Sequence, residues 1–130
     1  MSTTLVFDAS AAVKWFRPQE VGATAARSML EDSTSDVWLP DNCVHEIVHA
    51  VARRRSAAAA TGVWDALAAA DVLLGRVDGE LVTEALVVSQ ELGCDYYDAL
   101  APALARLLGG TLVSADRRAH SGFPGVLLVA

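Results

Sequence analysis

The sequence predicts a three-layer α/β/α domain built on a small, mainly parallel sheet. Short β-prone runs alternate along the chain with longer helical patterns, which is typical of a parallel sheet with helices on its faces. The 130 residues fit one domain, predicted to span residues 1–130, and an apolar fraction of 53% is enough for a buried core. No internal repeat or linker indicates a second domain.

The first half of the chain alternates strands and helices from its start. A β-prone run over 4–7 ends at Asp8, and Ser10 can then cap a helix that stops near Phe16, before Pro18. The other elements predicted in this half are a helix over 20–31, a strand over 37–39 and a helix over 41–54.

The alanine-rich second half continues the alternation. We predict one long helix over 57–75. Asp78 can cap the next helix, and Gly93 can end it as a C-terminal glycine. The remaining predicted elements are helices over 80–92 and 96–108, a strand over 111–113 and a last strand over 126–128.

Charge and cysteine content restrict the class of protein. With a net charge of −6, the chain lacks the broad basic field of a nonspecific nucleic-acid binder. No apolar run is long enough to span a membrane, and the N-terminus has no secretory-signal pattern. We therefore expect a cytoplasmic protein with no membrane partner. Cys43 and Cys94, which lack metal-ligand spacing, are expected to be reduced thiols.

Three carboxylates are predicted to lie at one edge of the sheet. Asp8 follows the first strand, and Asp116 follows the strand over 111–113. Asp98 begins a helix that turns through glycines into that same strand, so the helix start returns to the edge where Asp116 lies. Because clustered carboxylates repel each other, the pattern indicates a site for a hard divalent cation, chiefly Mg²⁺.

Glu46 is a fourth candidate, on the helix over 41–54. It points away from the apolar face of that helix, on the side of His49 and Arg53. Two interpretations stay open for this side. It is either a solvated surface or a wall of the same cleft, with Arg53 near a bound phosphate. The apolar face consists of Val44, Ile47, Val48 and Val51.

The segment CDYYDALAPALA admits two interpretations of its aspartates. Asp95 as N-cap and Asp98 as third helical residue would both stabilise the helix start. We interpret Asp95 as the cap and Asp98 as pointing into the metal site. Pro102 has no N–H to donate to the Asp98 carbonyl, which is therefore left free.

Three segments, in order, resemble the PIN-domain family, and specifically the VapC-type toxin ribonucleases of bacterial and archaeal toxin–antitoxin pairs. LVFDASAAVKWF is similar to the opening strand, acid and helix of the family. WLPDNCVHEIVHAVARR is similar to its second strand and glutamate-bearing helix, and ELGCDYYDALAPALARLLGGTLVSADRR to its closing block. The resemblance spans nearly the whole chain and implies a PIN-like fold.

The resemblance implies a Mg²⁺-dependent endoribonuclease, with Mn²⁺ as a substitute ion, in which metal-activated water hydrolyses RNA phosphodiester bonds. Its implied partners are RNA, a cognate antitoxin protein and further copies of the chain, in a homodimer or a toxin–antitoxin hetero-oligomer. The implied site consists of Asp8, Glu46, Asp98 and Asp116 as catalytic metal ligands, supported by Ser10, Asp95 and Ser114.

The basic and histidine residues have less specific assignments. Arg53 and Arg117 are the predicted RNA-binding residues, with Arg54 and Lys14 as further candidates for phosphate contacts. His49 stands where many members of the family have Asn, and the other histidines, His45 and His120, are interpreted as surface or hydrogen-bonded polar residues.

Two other function classes are alternatives. One is a non-catalytic PIN-like module that binds RNA or a partner protein, and the four acids argue against it. The other is a haloacid-dehalogenase-like phosphatase, which also has an Asp after its first strand. In this sequence Ser10 occupies the place of the second acid of such enzymes.

Overall fold

A parallel sheet of five short strands forms the middle layer of the molecule, whose computed structural model describes residues 2–129. The sheet order is β3-β2-β1-β4-β5, and every neighbouring pair is parallel. The predicted α/β/α class is therefore confirmed. Met1 and Ala130, which the predicted domain 1–130 includes, lie outside the described residues. The strands are β1 (Thr3–Phe7), β2 (Ser35–Pro40), β3 (Leu73–Gly75), β4 (Thr111–Ser114) and β5 (Leu127–Leu128).

Helices cover both faces of the sheet. In the described range they are α1 (Ala9–Ala12), which continues as a 3₁₀ turn (Val13–Phe16), α2 (Ala23–Glu31), α3 (Asp41–Arg54), α4 (Ala57–Thr61), α5 (Val63–Ala69), α6 (Gly79–Leu92), α7 (Tyr96–Leu108) and α8 (Arg117–His120). No helix of residues 2–129 is long and apolar enough to cross a membrane.

Successive residues of β1 belong to two separate cores. Leu5 and Phe7 point to the face that is covered by α1 to α5, whereas Val6 points to the face covered by α6 and α7. Because both faces are covered, the last three residues of β1 form a continuous apolar run rather than an alternating one. The carboxyl end of the strand is consequently buried up to Phe7, the residue immediately before the charged Asp8.

The predicted long helix over 57–75 is wrong. The segment forms α4 and α5, which are separated at Gly62, and then β3 at the edge of the sheet. Glycine is a poor helix former, and Asp71 adopts a left-handed φ of 58° that turns the chain away from α5. The apolar run after Asp71 then pairs with β2. Because alanine dominates the start of this segment, its pattern hides the change to a strand.

The helix α7 fixes the position of the segment that contains the two aspartates. Its residues from Ala99 to Ala105 are all buried, and their small size lets the helix pack closely on the sheet and on α6. Pro102 lies inside the helix, which continues to Leu108 and ends at Gly109. Because β4 follows at once, the start of α7 lies at the edge where β4 ends.

Gly110, just before β4, lies very close to the backbone of β1. A Cβ added at Gly110 would lie 2.8 Å from Thr4 Cγ2 and 2.9 Å from the Thr4 carbonyl oxygen. That oxygen belongs to the backbone of β1, so we expect Gly110→Ala to lower the free energy of unfolding by about 1–3 kcal/mol. Gly79→Ala is the matched control because its Cβ meets nothing within 4 Å. Urea denaturation measures both variants, and equal stabilities would contradict the prediction.

Candidate active site

The candidate site lies where the order of the strands reverses. β1 pairs with β2 on one side and with β4 on the other. The strands that follow β1 along the chain therefore lie first on one side of it, as β2 and β3, and then on the other side, as β4 and β5. In parallel sheets, a crevice that can bind ligands forms at this point, beyond the carboxyl ends of the strands. Asp8 follows β1 and Asp116 follows β4, as predicted. The Asp8 N–H donates to the Val113 carbonyl at 2.9 Å and joins Asp8 to the end of β4.

Asp8 and Asp116 are both helix caps. Asp8 is buried, and its Oδ2 accepts a hydrogen bond from the Ser10 N–H at 3.1 Å at the start of α1. Asp116 Oδ1 accepts from the Ala119 N–H at 3.0 Å at the start of α8. Each cap bond uses one carboxylate oxygen and leaves the other available as a ligand. The structural and functional roles are therefore compatible.

The two aspartates of CDYYDALAPALA differ in their contacts. Asp95 is the N-cap of α7, because its Oδ1 accepts from the Asp98 N–H at 2.8 Å. The Asp98 carboxylate, by contrast, forms no hydrogen bond with residues 2–129. It lies in an open cleft, which we call the acidic cleft and which is lined by Gly93, Cys94, Asp95, Asp98, Asp116, Arg118 and Ala119. The predicted division of roles between cap and free carboxylate thus agrees with the hydrogen bonds.

Glu46 and Asp8 extend the negative charge beside the acidic cleft. Loss of hydration raises the pKa of the Glu46 carboxyl, although the residue keeps contact with solvent, and the charges of Asp8 and Asp98 raise it further. Burial likewise raises the pKa of Asp98, followed by the charges of Asp95, Asp8 and Asp116. We call the four predicted ligands the acidic cluster: Asp8, Glu46, Asp98 and Asp116.

No residue of 2–129 forms an ion pair with the acidic cluster. Among residues 2–129, the ion pairs involve Glu20, Glu84 and Glu91 and none of the four cluster acids. Nor do three His, Cys, Asp or Glu side chains of the described chain approach closely enough to enclose an ion. This donor set fits a hard cation that keeps several of its waters and contacts only one or two carboxylates directly, as Mg²⁺ does.

Ser10 and Ser114 fix the backbone around Asp116. Ser10 Oγ accepts from the Ala115 N–H at 3.0 Å, and Ser114 Oγ accepts from the Asp116 N–H at 3.0 Å. The two hydroxyl oxygens are 3.3 Å apart. Ser114 Oγ also lies 2.6 Å from Nδ1 of the buried His120, whose Nε2 lies 2.6 Å from the Asp98 carbonyl oxygen. These serines support the site through backbone contacts.

Comparison with known proteins identifies the family. The sequence pattern of the PIN domain matches residues 5–122. The chain belongs to the PIN-domain family. No curated protein matches this PIN domain significantly. PIN-domain nucleases generally use divalent metal ions, which agrees with the chemistry of the acidic cluster.

Solved structures, one of them a VapC toxin, have the same fold as this PIN domain. VapC20 of Mycobacterium tuberculosis, described as a sarcin–ricin loop cleaving toxin, has a TM-score of 0.74 at 19% identity over 94% of this chain and 98% of that one. A toxin–antitoxin complex from Klebsiella pneumoniae has a TM-score of 0.73 at 15% identity, over 97% and 98%. PAE2754 from Pyrobaculum aerophilum has a TM-score of 0.68 at 21% identity, over 99% and 92%.

The two predicted RNA-binding arginines lie in different places. Arg53 lines a second cleft with Arg17, His49 and Arg54, apart from the lining of the acidic cleft. Arg117 is exposed, and its neighbour Arg118 lines the acidic cleft. Arg53 and Arg117 therefore stay predictions as RNA-binding residues.

The expectation that Lys14 is free to contact phosphate is wrong. Lys14 is buried, and its Nζ donates to Glu20 Oε1 at 2.8 Å and to the Val21 carbonyl at 2.6 Å. The hydrogen bond from Lys14 lowers the pKa of Glu20. This ion pair fastens the 3₁₀ turn to the segment before α2, so the lysine has a structural role.

Sequence reasoning missed Arg118 and underestimated His120. Arg118 looks like any exposed arginine in the sequence, because only the start of α8 at Asp116 turns it toward the acidic cleft. His120 had a weak signal. Pro102 frees the Asp98 carbonyl, and a carbonyl that the helix leaves without a partner needs a donor from water or from elsewhere in the chain.

The repulsion within the acidic cluster predicts a stability change. Because the folded-state pKa of Asp98 is raised, the native protein binds more protons than the unfolded one, so stability rises as pH falls through that pKa. We expect Asp98→Asn, in EDTA at pH 7, to melt a few degrees higher than wild type, and the difference to vanish in acid. Asp95→Asn, which keeps a capping side chain, is the control. A lower melting temperature for Asp98→Asn would mean that its charge stabilises α7.

Proposed function

We propose that this PIN domain is a Mg²⁺-dependent endoribonuclease, with Mn²⁺ as a substitute ion, and the toxin of a type II toxin–antitoxin pair. The observation that carries the proposal is the acidic cluster, in which four carboxylates from separate elements gather without an ion-paired cation. Such a cluster destabilises the fold, and a bound cation would reverse that effect.

The residues of the site have distinct parts in the proposed reaction. A divalent cation, when bound, supplies a water of lowered pKa and neutralises charge on the scissile phosphate. Asp98, whose carboxylate has no other contact among the described residues, is the most available ligand. Asp8 and Asp116 each offer the oxygen that their cap bond leaves free, and Glu46 offers its carboxylate from α3. Arg118, at the rim of the acidic cleft, is placed to contact a phosphate.

No histidine lines the acidic cleft in the described part of the chain, and His120 is buried and hydrogen-bonded. A route through the 2′-hydroxyl of RNA needs a base beside that hydroxyl that is not engaged with the cation, whereas the cluster carboxylates are assigned to the cation in this proposal. We therefore propose direct attack by water, which leaves a 5′-phosphate and a 3′-hydroxyl.

The neighbouring structures support one of the proposed partners. Solved neighbours are described as toxin–antitoxin complexes, which supports a cognate antitoxin protein as partner. A homodimer or a toxin–antitoxin hetero-oligomer, in the cytoplasm, belongs to the same proposal. No observation favours the non-catalytic module, because all four acids of the cluster are present. The phosphatase is not favoured either, because Ser10 binds the backbone of Ala115 where that class needs its second acid.

A cleavage assay tests the proposal. Purified, antitoxin-free protein incubated with total RNA should cut it with Mg²⁺ and not with EDTA, leaving 5′-phosphate ends. Asp98→Asn should lower kcat by orders of magnitude because it removes a ligand charge. Asp95→Asn, the matched control on the same helix turn, should have a mild effect because Asn also caps helices. Mainly 2′,3′-cyclic phosphate products would overturn the mechanism, and equal losses in both variants would overturn the division of roles.

A binding experiment tests the predicted RNA contacts. In EDTA, we expect Arg53→Ala and Arg117→Ala each to weaken the affinity for single-stranded RNA. Each variant should also reduce the slope of log K against log salt by about 0.7, the value for one lost phosphate contact. Arg106→Ala is the control, because Arg106 lies at the far end of α7 and pairs with Glu84 and Glu91. An unchanged slope in both test variants would place the RNA on another surface.

A further inference from the structure

The Asp98 carbonyl lacks the partner that a helix normally provides. In an α-helix it would accept from the N–H four residues later, but that residue is Pro102, which has no N–H. His120 supplies the missing donor from a different element, with Nε2 2.6 Å from the carbonyl oxygen. Because a carbonyl can only accept, Nε2 of His120 carries the hydrogen.

The other side of the His120 ring leads to Asp116. In the neutral ring Nδ1 carries no hydrogen, so it accepts from the Ser114 hydroxyl, 2.6 Å away. Ser114 Oγ in turn accepts from the Asp116 N–H at 3.0 Å. A continuous series of three hydrogen bonds therefore joins the backbone of Asp98 to the backbone of Asp116. Ser114 and His120 are both fully buried, so water does not compete for the central bond between them.

We propose that His120 is a positioning residue that sets the separation of the Asp98 and Asp116 carboxylates, and that Pro102, which has no N–H, leaves the Asp98 carbonyl dependent on this outside donor. His120 acts through the two backbones, not through contact with substrate. The proposal rests on the proposed function, in which both carboxylates hold the cation. Residues that hold metal ligands in place through hydrogen bonds have this role at other metal sites, and their loss typically lowers metal affinity by about 10–100-fold.

The experiment asks whether His120 positions the two carboxylates or only provides a hydrogen-bond donor for the Asp98 carbonyl. His120→Asn keeps a polar group near Ser114 but is too short to reach Asp98. We expect it to bind Mn²⁺, measured as free ion by electron paramagnetic resonance, about 10-fold more weakly than wild type, and to melt at a lower temperature in EDTA. Adding Pro102→Ala restores a helical N–H for the carbonyl. The double variant should regain melting temperature but keep the weak affinity, because the hydrogen-bond series from the Asp98 backbone to the Asp116 backbone is still broken.

Two further variants complete the test. Pro102→Ala alone keeps the His120 bond, so we expect it to bind Mn²⁺ like wild type. Ser114→Ala breaks the same series at its other end and should weaken Mn²⁺ binding to a similar degree, which preserves the test if His120→Asn does not fold. Recovery of both affinity and melting temperature in the double variant would overturn the proposal, as would wild-type affinity in His120→Asn. A wild-type chain that binds no Mn²⁺ would instead overturn the proposed function.

Discussion

The parallel pairing of β1 with both β2 and β4 is the constraint on which the rest of the structure depends. β1 lies between β2 and β4, and the connections that lead to these strands lie on opposite sides of it. The crevice beyond the end of β1 is therefore left open. Each element that reaches this edge brings an acid: β1 brings Asp8, α7 brings Asp98 and the turn after β4 brings Asp116. The topology of the sheet therefore fixes where the site lies, and the side chains determine only its chemistry.

The same arrangement opposes stability and function. The two cores on either face of the sheet bury apolar side chains from nearly every element, whereas the acidic cluster concentrates like charge at one edge. The caps that Asp8 and Asp116 form moderate this cost, because each uses one oxygen to complete a helix start. Active sites commonly sacrifice stability in this way, and the surrounding core compensates.

The sequence predicted most of the fold and the acids of the site, and its failures have physical causes. Strand endings and helix caps are local signals, so β1, α3, α6 and α7 could be identified, and Asp95 could be recognised as a cap. The segment after Ser56 could not, because alanines fit a helix of any length and the strand at Leu73 depends on its pairing with β2. Lys14 was misjudged for a similar reason, since its partner Glu20 becomes available only when the chain turns before α2. Whether the cluster acids act as metal ligands stays a proposal.

The bond between His120 and the Asp98 carbonyl also has an evolutionary consequence. A donor at residue 102 makes the histidine dispensable for satisfying the carbonyl, whereas a proline there makes an outside donor necessary. The order of substitution therefore matters. If Pro102 is replaced first, the Asp98 carbonyl keeps a donor throughout. If His120 is replaced first, the carbonyl has no donor in the intermediate protein, which is then less stable. The two residues are thus coupled through stability, and in a lineage that loses both, the change at residue 102 is expected to precede the change at residue 120.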